Sequence, residues 1–155
     1  MPRLPLHAVA NEELDLDSVA ALIFQARNRY LLQHREDRAG IAFPNAWGLF
    51  GGAREPGEGP EAALRREMME ELEFSVGECS LFVGCTFDLR FEVRRTRKIF
   101  FSVEMTEAEA HELVLREGQG MAWLGFDEIL ARGDQIIPYD LGMIALHHQR
   151  LGAMI

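Results

Sequence analysis

The segment from residue 51 to residue 74 constrains this chain more than any other. A glycine-rich, acidic loop leads into residues 60–72, which after the first are all good helix formers and include no β-branched residue. Pro60 suits the first helical position because its missing N–H would have no partner there, and Gly59 then takes the N-cap. The sequence therefore predicts a helix over 60–72 that is entered from a tight loop.

The predicted helix carries two kinds of side chain on different faces. Apolar side chains recur at every fourth residue, a spacing typical of a helix that packs on a sheet: Leu64, Met68 and Leu72. Three carboxylates spaced i, i+3 and i+4 share another face: Glu67, Glu70 and Glu71. These carboxylates repel one another, and a hard divalent cation such as Mg²⁺ or Mn²⁺ relieves that repulsion. A plain solvated acidic face is the alternative that these three residues alone leave open.

The carboxylates belong to a longer pattern. Its fixed positions are Gly52, Glu58, Arg66-Glu67, the apolar Met68, Glu70-Glu71 and the apolar Phe74. This segment resembles the box of the Nudix family, G-x5-E-x7-R-E-U-x-E-E-x-G-U, in which U is an apolar residue. Eight of the nine defined positions match over 23 residues, so the resemblance is specific.

Glu73 is the one departure, since the family has a glycine there that ends the helix in a left-handed conformation. A glutamate in that conformation would cost about 1 kcal/mol. Otherwise the helix runs on toward Gly77. Neither interpretation affects the carboxylates.

The resemblance implies a fold and a reaction. The fold is α/β, an α/β/α sandwich around a mixed β-sheet. The reaction is the hydrolysis of a nucleoside diphosphate linked to another group X, with water attacking a phosphorus of the pyrophosphate. Mg²⁺ or Mn²⁺ neutralises the diphosphate and lowers the pKa of a bound water, and a nearby carboxylate takes the proton.

The resemblance also implies roles for particular residues. The expected metal ligands are one glycine carbonyl and the helix carboxylates: Gly51, Glu67, Glu70 and Glu71. The expected catalytic carboxylates are Glu67, Glu70 and Glu117. The expected supports of the site are Gly52, Glu58 and Arg66. The expected contacts to substrate are Arg35, Arg54 and Trp47, although each has an ordinary surface or core position as its alternative.

Glu117 lies outside the box, in a Glu-Gly-Gln turn. This turn resembles the acidic turn of the nucleoside triphosphate pyrophosphatases of the family, and a solvated turn residue is its alternative. Residues 88–92 have neither the proline nor the tyrosine that mark the ADP-ribose and diadenosine branches, so a nucleoside triphosphate or a nucleotide sugar is the expected substrate. A catalytically silent nucleotide sensor on the same fold is the alternative function, supported only by Glu73. An isoprenoid diphosphate isomerase would need further Cys and Glu motifs.

The remaining sequence predicts the rest of the sheet. Residues 18–25 are an apolar run typical of a strand buried on both faces, and residues 30–35 form its hairpin partner. Further strands are expected at 47–50, at 79–91 with strict alternation, at 99–105 and at 121–124. Thr106 and Glu109 predict a capping box, residues 126–130 one helical turn, and residues 138–151 a final helix. The predicted buried face of that helix contains Leu141, Ile144, Ala145 and His148.

The composition indicates a globular protein with one domain over 1–155 and an arm over 1–11. Hydrophobic residues make up 48% of the 155 residues, which suffices for a core. The net charge of −9 argues against non-specific binding to nucleic acid or to anionic membranes. Two cysteines are too few for a disulfide framework, and no signal peptide or membrane span is evident. We therefore expect a cytoplasmic protein that binds a small nucleotide, and the sequence leaves a homodimer open.

Overall fold

A computed structural model describes residues 16–26, 28–88 and 95–153. The elements are β1 Leu16–Gln25, β2 Arg29–His34, β3 Trp47–Gly48, β4 Phe50–Ala53, α1 Pro60–Leu72, β5 Ser80–Asp88, β6 Arg95–Glu104, α2 Glu107–His111, β7 Gly120–Gly125, α3 Phe126–Ala131, a 3₁₀ turn Gly133–Gln135 and α4 Pro138–Ala153. The predicted arm over 1–11 lies outside the described residues. Among the helices that are described, none has the length and apolarity needed to cross a membrane.

β1 is the central strand of a mixed sheet. It pairs in parallel with β6 along most of its length and antiparallel with β4 through its first half, where Ala20 lies opposite Gly51. Its end pairs antiparallel with β2, where Phe24 lies opposite Tyr30. β5 extends the sheet beyond β6, and both β3 and β7 pair with β2. The predicted hairpin of the first two strands is confirmed.

Helices cover both faces of this sheet. Alternate residues of β1 enter two cores: Val19, Ala21 and Ile23 pack in the core that contains α1, and Ala20, Leu22 and Phe24 pack in the core that contains α3 and α4. The apolar run is therefore buried on both faces, as its lack of alternation predicts. The α/β class and the α/β/α sandwich are confirmed.

Two local predictions are wrong in register. The alternation predicted over 79–91 breaks at a bulge, because the pairing of β5 with β6 shifts between Leu81 and Val83. As a result Leu81 is exposed on the edge strand, whereas Val83 packs against the core. The buried face of α4 is also rotated by about 100° from the predicted one: Asp140, Ile144 and His147 are its buried residues.

His147 explains part of this rotation. Its imidazole lies between two hydroxyl groups, with Nδ1 2.8 Å from the Tyr30 hydroxyl and Nε2 2.7 Å from Ser102 Oγ. Burial lowers the pKa of His147 to about 4, with smaller contributions from Arg150 and His148. The neutral ring therefore ties α4 to β2 and β6.

We predict that His147 makes the fold sensitive to acid. Unfolding raises its pKa from about 4 to about 6.5, so the unfolded chain binds more protons in that window. The free energy of unfolding should fall as pH drops from 6.5 to 4, by about 3 kcal/mol if His147 acts alone. Urea titrations across this range should show a smaller loss in His147→Gln than in the wild type. The exposed His111→Gln is the control, and equal pH slopes in all three proteins would contradict the assignment.

Candidate active site

Helix α1 carries two acidic side chains to the margin of the sheet. Its apolar stripe is fully buried, which fixes the rotation of the helix: Leu64, Met68 and Leu72. Glu67 and Glu71 each precede a stripe residue, and they are only 9% and 3% exposed. The Glu70 side chain is 58% exposed. The three carboxylates lie within an arc of about 100° on one side of the stripe, as the spacing predicts, but Glu71 and Glu67 lie nearer the stripe and are buried while Glu70 turns toward solvent.

Two glycines of β4 contact the buried carboxylates in different ways. Gly51 has φ +148°, and a Cβ there would lie 2.1 Å from the Val19 carbonyl oxygen, so this glycine lets β4 approach β1. Its N–H donates to Glu71 Oε2 at 3.1 Å. A Cβ on Gly52 would lie 2.6 Å from the carboxyl carbon of Glu67. A larger residue at Gly52 would therefore displace the Glu67 carboxylate.

The carboxylates destabilise one another's charge. Burial, followed by the charges of Glu117 and Glu67, raises the pKa of Glu71 to about 8, against opposing effects of the Gly51 N–H and Arg35. Burial also raises the pKa of Glu67, and Arg66 opposes this shift. The site thus gathers carboxyl groups in a place where water cannot screen their charged forms well, so the charged forms need a cation nearby.

Arg66 links the loop of the box to the helix. Its guanidinium donates to both oxygens of Glu58 at 2.8 and 3.0 Å, to Glu67 at 2.8 Å and to Glu70 at 3.2 Å. It also donates to the Ala53 carbonyl at 2.9 Å. The hydrogen bond from Arg66 is the main reason that the pKa of Glu58 falls to about 2. The geometry of Arg66 and Glu58 agrees with the supporting roles expected of them.

The loop before β7 brings Glu117 to the same place. The Arg116 N–H donates to the Glu71 carbonyl at 2.8 Å, and Gln33 Nε2 donates to the Glu117 carbonyl at 3.1 Å. The next residue, Gly118, adopts φ +94°, and a Cβ there would lie 2.7 Å from the His34 carbonyl oxygen. Glu117 is exposed and lies at the cleft, whereas the sequence alone left it as either a site residue or a solvated turn residue.

A cleft of about 240 Å³ opens beside these groups. Its lining includes four of the predicted site residues: Arg35, Gly51, Gly52 and Glu117. Arg35 is half-buried, and its Nε donates to the Ala42 carbonyl at 3.0 Å. The lining also includes residues that the sequence did not single out: Thr96, Lys98, Tyr139 and Asp140.

Two residues expected to bind substrate lie away from the lining of this cleft. Arg54 donates to the Glu58 carbonyl at 3.1 and 2.6 Å and pairs with Asp17 at 3.1 Å, so it holds the loop of the box in place. The Trp47 ring stacks on His34 with their centroids 4.6 Å apart. The fold thus uses both side chains for contacts of its own.

Glu73 adopts the left-handed conformation that the family gives to glycine. It has φ 52° at the C-cap, its N–H bonds to the Met69 carbonyl, and the Phe74 N–H bonds to the Met68 carbonyl. The helix therefore ends at Leu72 and does not continue toward Gly77. The Glu73 carboxylate accepts a hydrogen bond from Arg116 Nε at 2.5 Å. This ion pair joins the helix end to the loop of Glu117.

Comparison with known proteins gives one consistent result. A model of the NUDIX domain matches residues 15–141. Nucleoside triphosphatase NudI of Salmonella arizonae is 29% identical, and the match covers 89% of this chain and 97% of that protein. The MutT protein of Methanosarcina mazei Go1 superposes with a TM-score of 0.71 at 22% identity over 87% of this chain and 94% of that one. The NUDIX domain of Shewanella oneidensis NrtR, solved with ADP ribose, superposes with a TM-score of 0.68 at 16% identity over 96% and 99%.

We predict that Glu71 lowers the stability of the metal-free protein at high pH. Its pKa of about 8 lies above the ordinary value of 4.5, so its contribution to stability is intact below pH 4.5 and is lost as pH rises through 8. Glu71→Gln should remove this loss and unfold at higher temperature than the wild type at pH 9 in the presence of a chelator. Glu70→Gln, at the exposed position, should not. A lower Tm for Glu71→Gln at pH 9 would contradict this account.

We predict that Glu73→Gly stabilises the protein. The substitution removes a left-handed glutamate, a strain of about 1 kcal/mol, and gives up an exposed ion pair worth less than that. Denaturant titrations should show a gain of about 0.5 kcal/mol, and Arg116→Ala should measure the ion pair separately. A clear loss of stability in Glu73→Gly would mean that the pair with Arg116 outweighs the backbone strain.

Proposed function

This chain belongs to the Nudix family, and we propose that it hydrolyses the phosphoanhydride of a nucleoside diphosphate linked to another group, with a nucleoside triphosphate as the preferred type. The observation that carries this proposal is the burial of Glu67 and Glu71 against Gly51 and Gly52 at the edge of a cleft. Buried like charges cost stability, so a fold gains from them only through a bound cation or a reaction. The nucleoside triphosphatase activity in the name of the Salmonella relative supports the substrate type.

The donor set fits a divalent cation. The groups are carboxylate and backbone carbonyl oxygens, the ligands that Mg²⁺ and Mn²⁺ prefer. Within residues 16–26, 28–88 and 95–153, no group of three Asp, Glu, His or Cys side chains is close enough together to hold a metal ion. Arg66 donates hydrogen bonds to oxygens of Glu67 and Glu70. We propose Gly51, Glu67, Glu70 and Glu71 as the groups that hold Mg²⁺ or Mn²⁺. The ion supplies charge neutralisation of the diphosphate and acidifies a water.

The other residues prepare the substrate and the proton transfer. Arg35 lies in the cleft as a fixed positive charge, and its guanidinium suits a phosphate oxygen. The carboxylate of Glu117 is exposed at the same cleft, so it can accept a proton from a water at the phosphorus. Glu67 and Glu70 are the alternative bases. Arg66 holds the rotamers of Glu67 and Glu58 and keeps the loop at its distance from the helix.

The silent-sensor alternative gains no support from Glu73. That residue changes only the end of the helix, and the buried carboxylates keep their places beside the two glycines. A module that only binds nucleotide would not need several buried acidic groups next to its cleft. Hydrolysis is therefore the function that the site supports best.

We predict that Glu71→Gln lowers kcat of nucleoside triphosphate hydrolysis by about 10²-fold or more, since one oxygen ligand and one charge are lost. The measurement uses purified protein with Mg²⁺ and a nucleotide panel, with both products identified. Glu61→Gln is the matched control because Glu61 lies on the same helix, is exposed and pairs with Arg65.

The products show which phosphoanhydride bond is cleaved. Release of pyrophosphate and a nucleoside monophosphate means cleavage between the first and second phosphates, and release of inorganic phosphate means cleavage between the second and third. Full activity in Glu71→Gln and Glu70→Gln would remove the proposed site. Tight nucleotide binding without turnover in the wild type would favour the sensor.

A further inference from the structure

The cleft is also lined by a buried ion pair. Lys98 and Asp140 form an ion pair there with Lys98 Nζ 3.1 Å from Asp140 Oδ1, and their side chains are 13% and 0% exposed. Both residues line the cleft. Burial of an ion pair costs about as much as the pairing returns, so such a pair is poor evidence of a role in stability. A role in ligand recognition explains its position.

The fold holds this pair firmly. Asp140 Oδ2 accepts the Leu49 N–H at 2.9 Å, so both oxygens of the carboxylate are engaged. A Cβ on Gly48 would lie 2.8 Å from Asp140 Oδ2, so this glycine leaves the space that Asp140 fills. Lys98 Nζ also lies 4.7 Å from the centre of the Tyr139 ring. The ammonium is therefore fixed, and Asp140 Oδ1 accepts just one of its three protons.

Tyr139 lines the cleft beside Lys98, and two further aromatic rings pack against it. Tyr139 packs edge-on against Phe43, with ring centroids 5.6 Å apart, and lies at 31° to Phe87 at 5.0 Å. A flat apolar surface next to a fixed hydrogen-bond donor is suited to a nucleobase. The volume of about 240 Å³ suits one nucleoside and is too small for two.

The distance from the carboxylates suits a nucleotide. Lys98 of β6 lies opposite Ser18 of β1, and Ser18 lies opposite Ala53 of β4. Gly51 lies two residues before Ala53 in β4. Two strand spacings of about 4.8 Å and two residues of about 3.4 Å separate the backbone of Lys98 from that of Gly51 by about 12 Å. This span fits a nucleotide with its phosphates at Gly51 and its base at Lys98.

We propose that Lys98 reads the base of the substrate and selects bases that present a carbonyl oxygen at ring position 4 of a pyrimidine or 6 of a purine, namely uracil, thymine and guanine, over adenine. This inference rests on the proposed function for the orientation of the nucleotide. An ammonium donates to a carbonyl oxygen, and on guanine it finds two adjacent acceptors, O6 and N7. Adenine places an amino donor beside its acceptor nitrogen, and that donor repels the ammonium. Asp140 is the positioning residue that holds Lys98 in place.

A binding experiment tests this directly without any variant. Lys98 is the only lysine of the chain, so lysine labelled with ¹³C at Cε gives a single chain signal by NMR. Titration with dTMP, dGMP and dAMP, with a chelator present, should shift this signal with a Kd about tenfold lower for dTMP and dGMP than for dAMP. No shift with any of them, or equal Kd values, would overturn the proposal.

Hydrolysis supplies the second test. Lys98→Met alone would leave Asp140 buried without a partner, so the variant is Lys98→Met with Asp140→Asn. Its ratio of kcat/KM for dTTP over dATP should fall about tenfold from that of the wild type. Arg97→Met removes the same charge one residue away, at an exposed position, and should keep the wild-type ratio. An unchanged ratio in the double variant would overturn the proposal.

These tests separate the two levels of inference. A wild-type protein that hydrolyses no nucleotide, yet shows the base preference by NMR, contradicts the proposed function and supports base reading by Lys98. A protein that hydrolyses nucleotides with the same ratio in the double variant supports the proposed function and contradicts the role of Lys98.

Discussion

The burial of Glu67 and Glu71 against the glycines of β4 is the constraint on which the rest of this structure depends. The apolar stripe of α1 can pack on the sheet only if the two carboxylates beside it enter the protein as well. Gly52 provides the space for Glu67, and the Gly51 N–H and Arg66 provide hydrogen bonds to Glu71 and Glu67. Folding thus holds negative charge at the edge of a cleft, where it favours a cation.

The same arrangement connects the two halves of the cleft. Strand β1 pairs with β4 on one side and β6 on the other, so a single strand sets the position of Gly51 relative to Lys98. The loop of Glu117 is tied to the end of α1 by backbone hydrogen bonds and by the pair of Glu73 with Arg116. The carboxylates and the cleft residues Gly51 and Lys98 are therefore positioned by one sheet and the helices packed on it.

Local sequence patterns predicted what depends on local physics. The helix over 60–72, the two-sided burial of β1 and the α/β/α layers follow from helix propensity, apolar periodicity and the family resemblance. The unequal burial of Glu67, Glu70 and Glu71 could not be predicted from the sequence, because it depends on how α1 is rotated on the sheet. The contacts of Arg54 and Trp47 could not be predicted either, because they depend on where the fold places Asp17 and His34. Lys98 and Asp140 are 42 residues apart, and only the tertiary fold brings them together.

The central claim is that the buried acidic groups of α1 hold a divalent ion. Its most direct test is anomalous diffraction from crystals soaked in Mn²⁺, which locates the ion without reference to activity. We predict a peak about 2.2 Å from oxygens of Glu67 and Glu71, with the Gly51 carbonyl in the same shell. Strong Mn²⁺ peaks elsewhere on the protein and none beside these two carboxylates would contradict a metal site on α1.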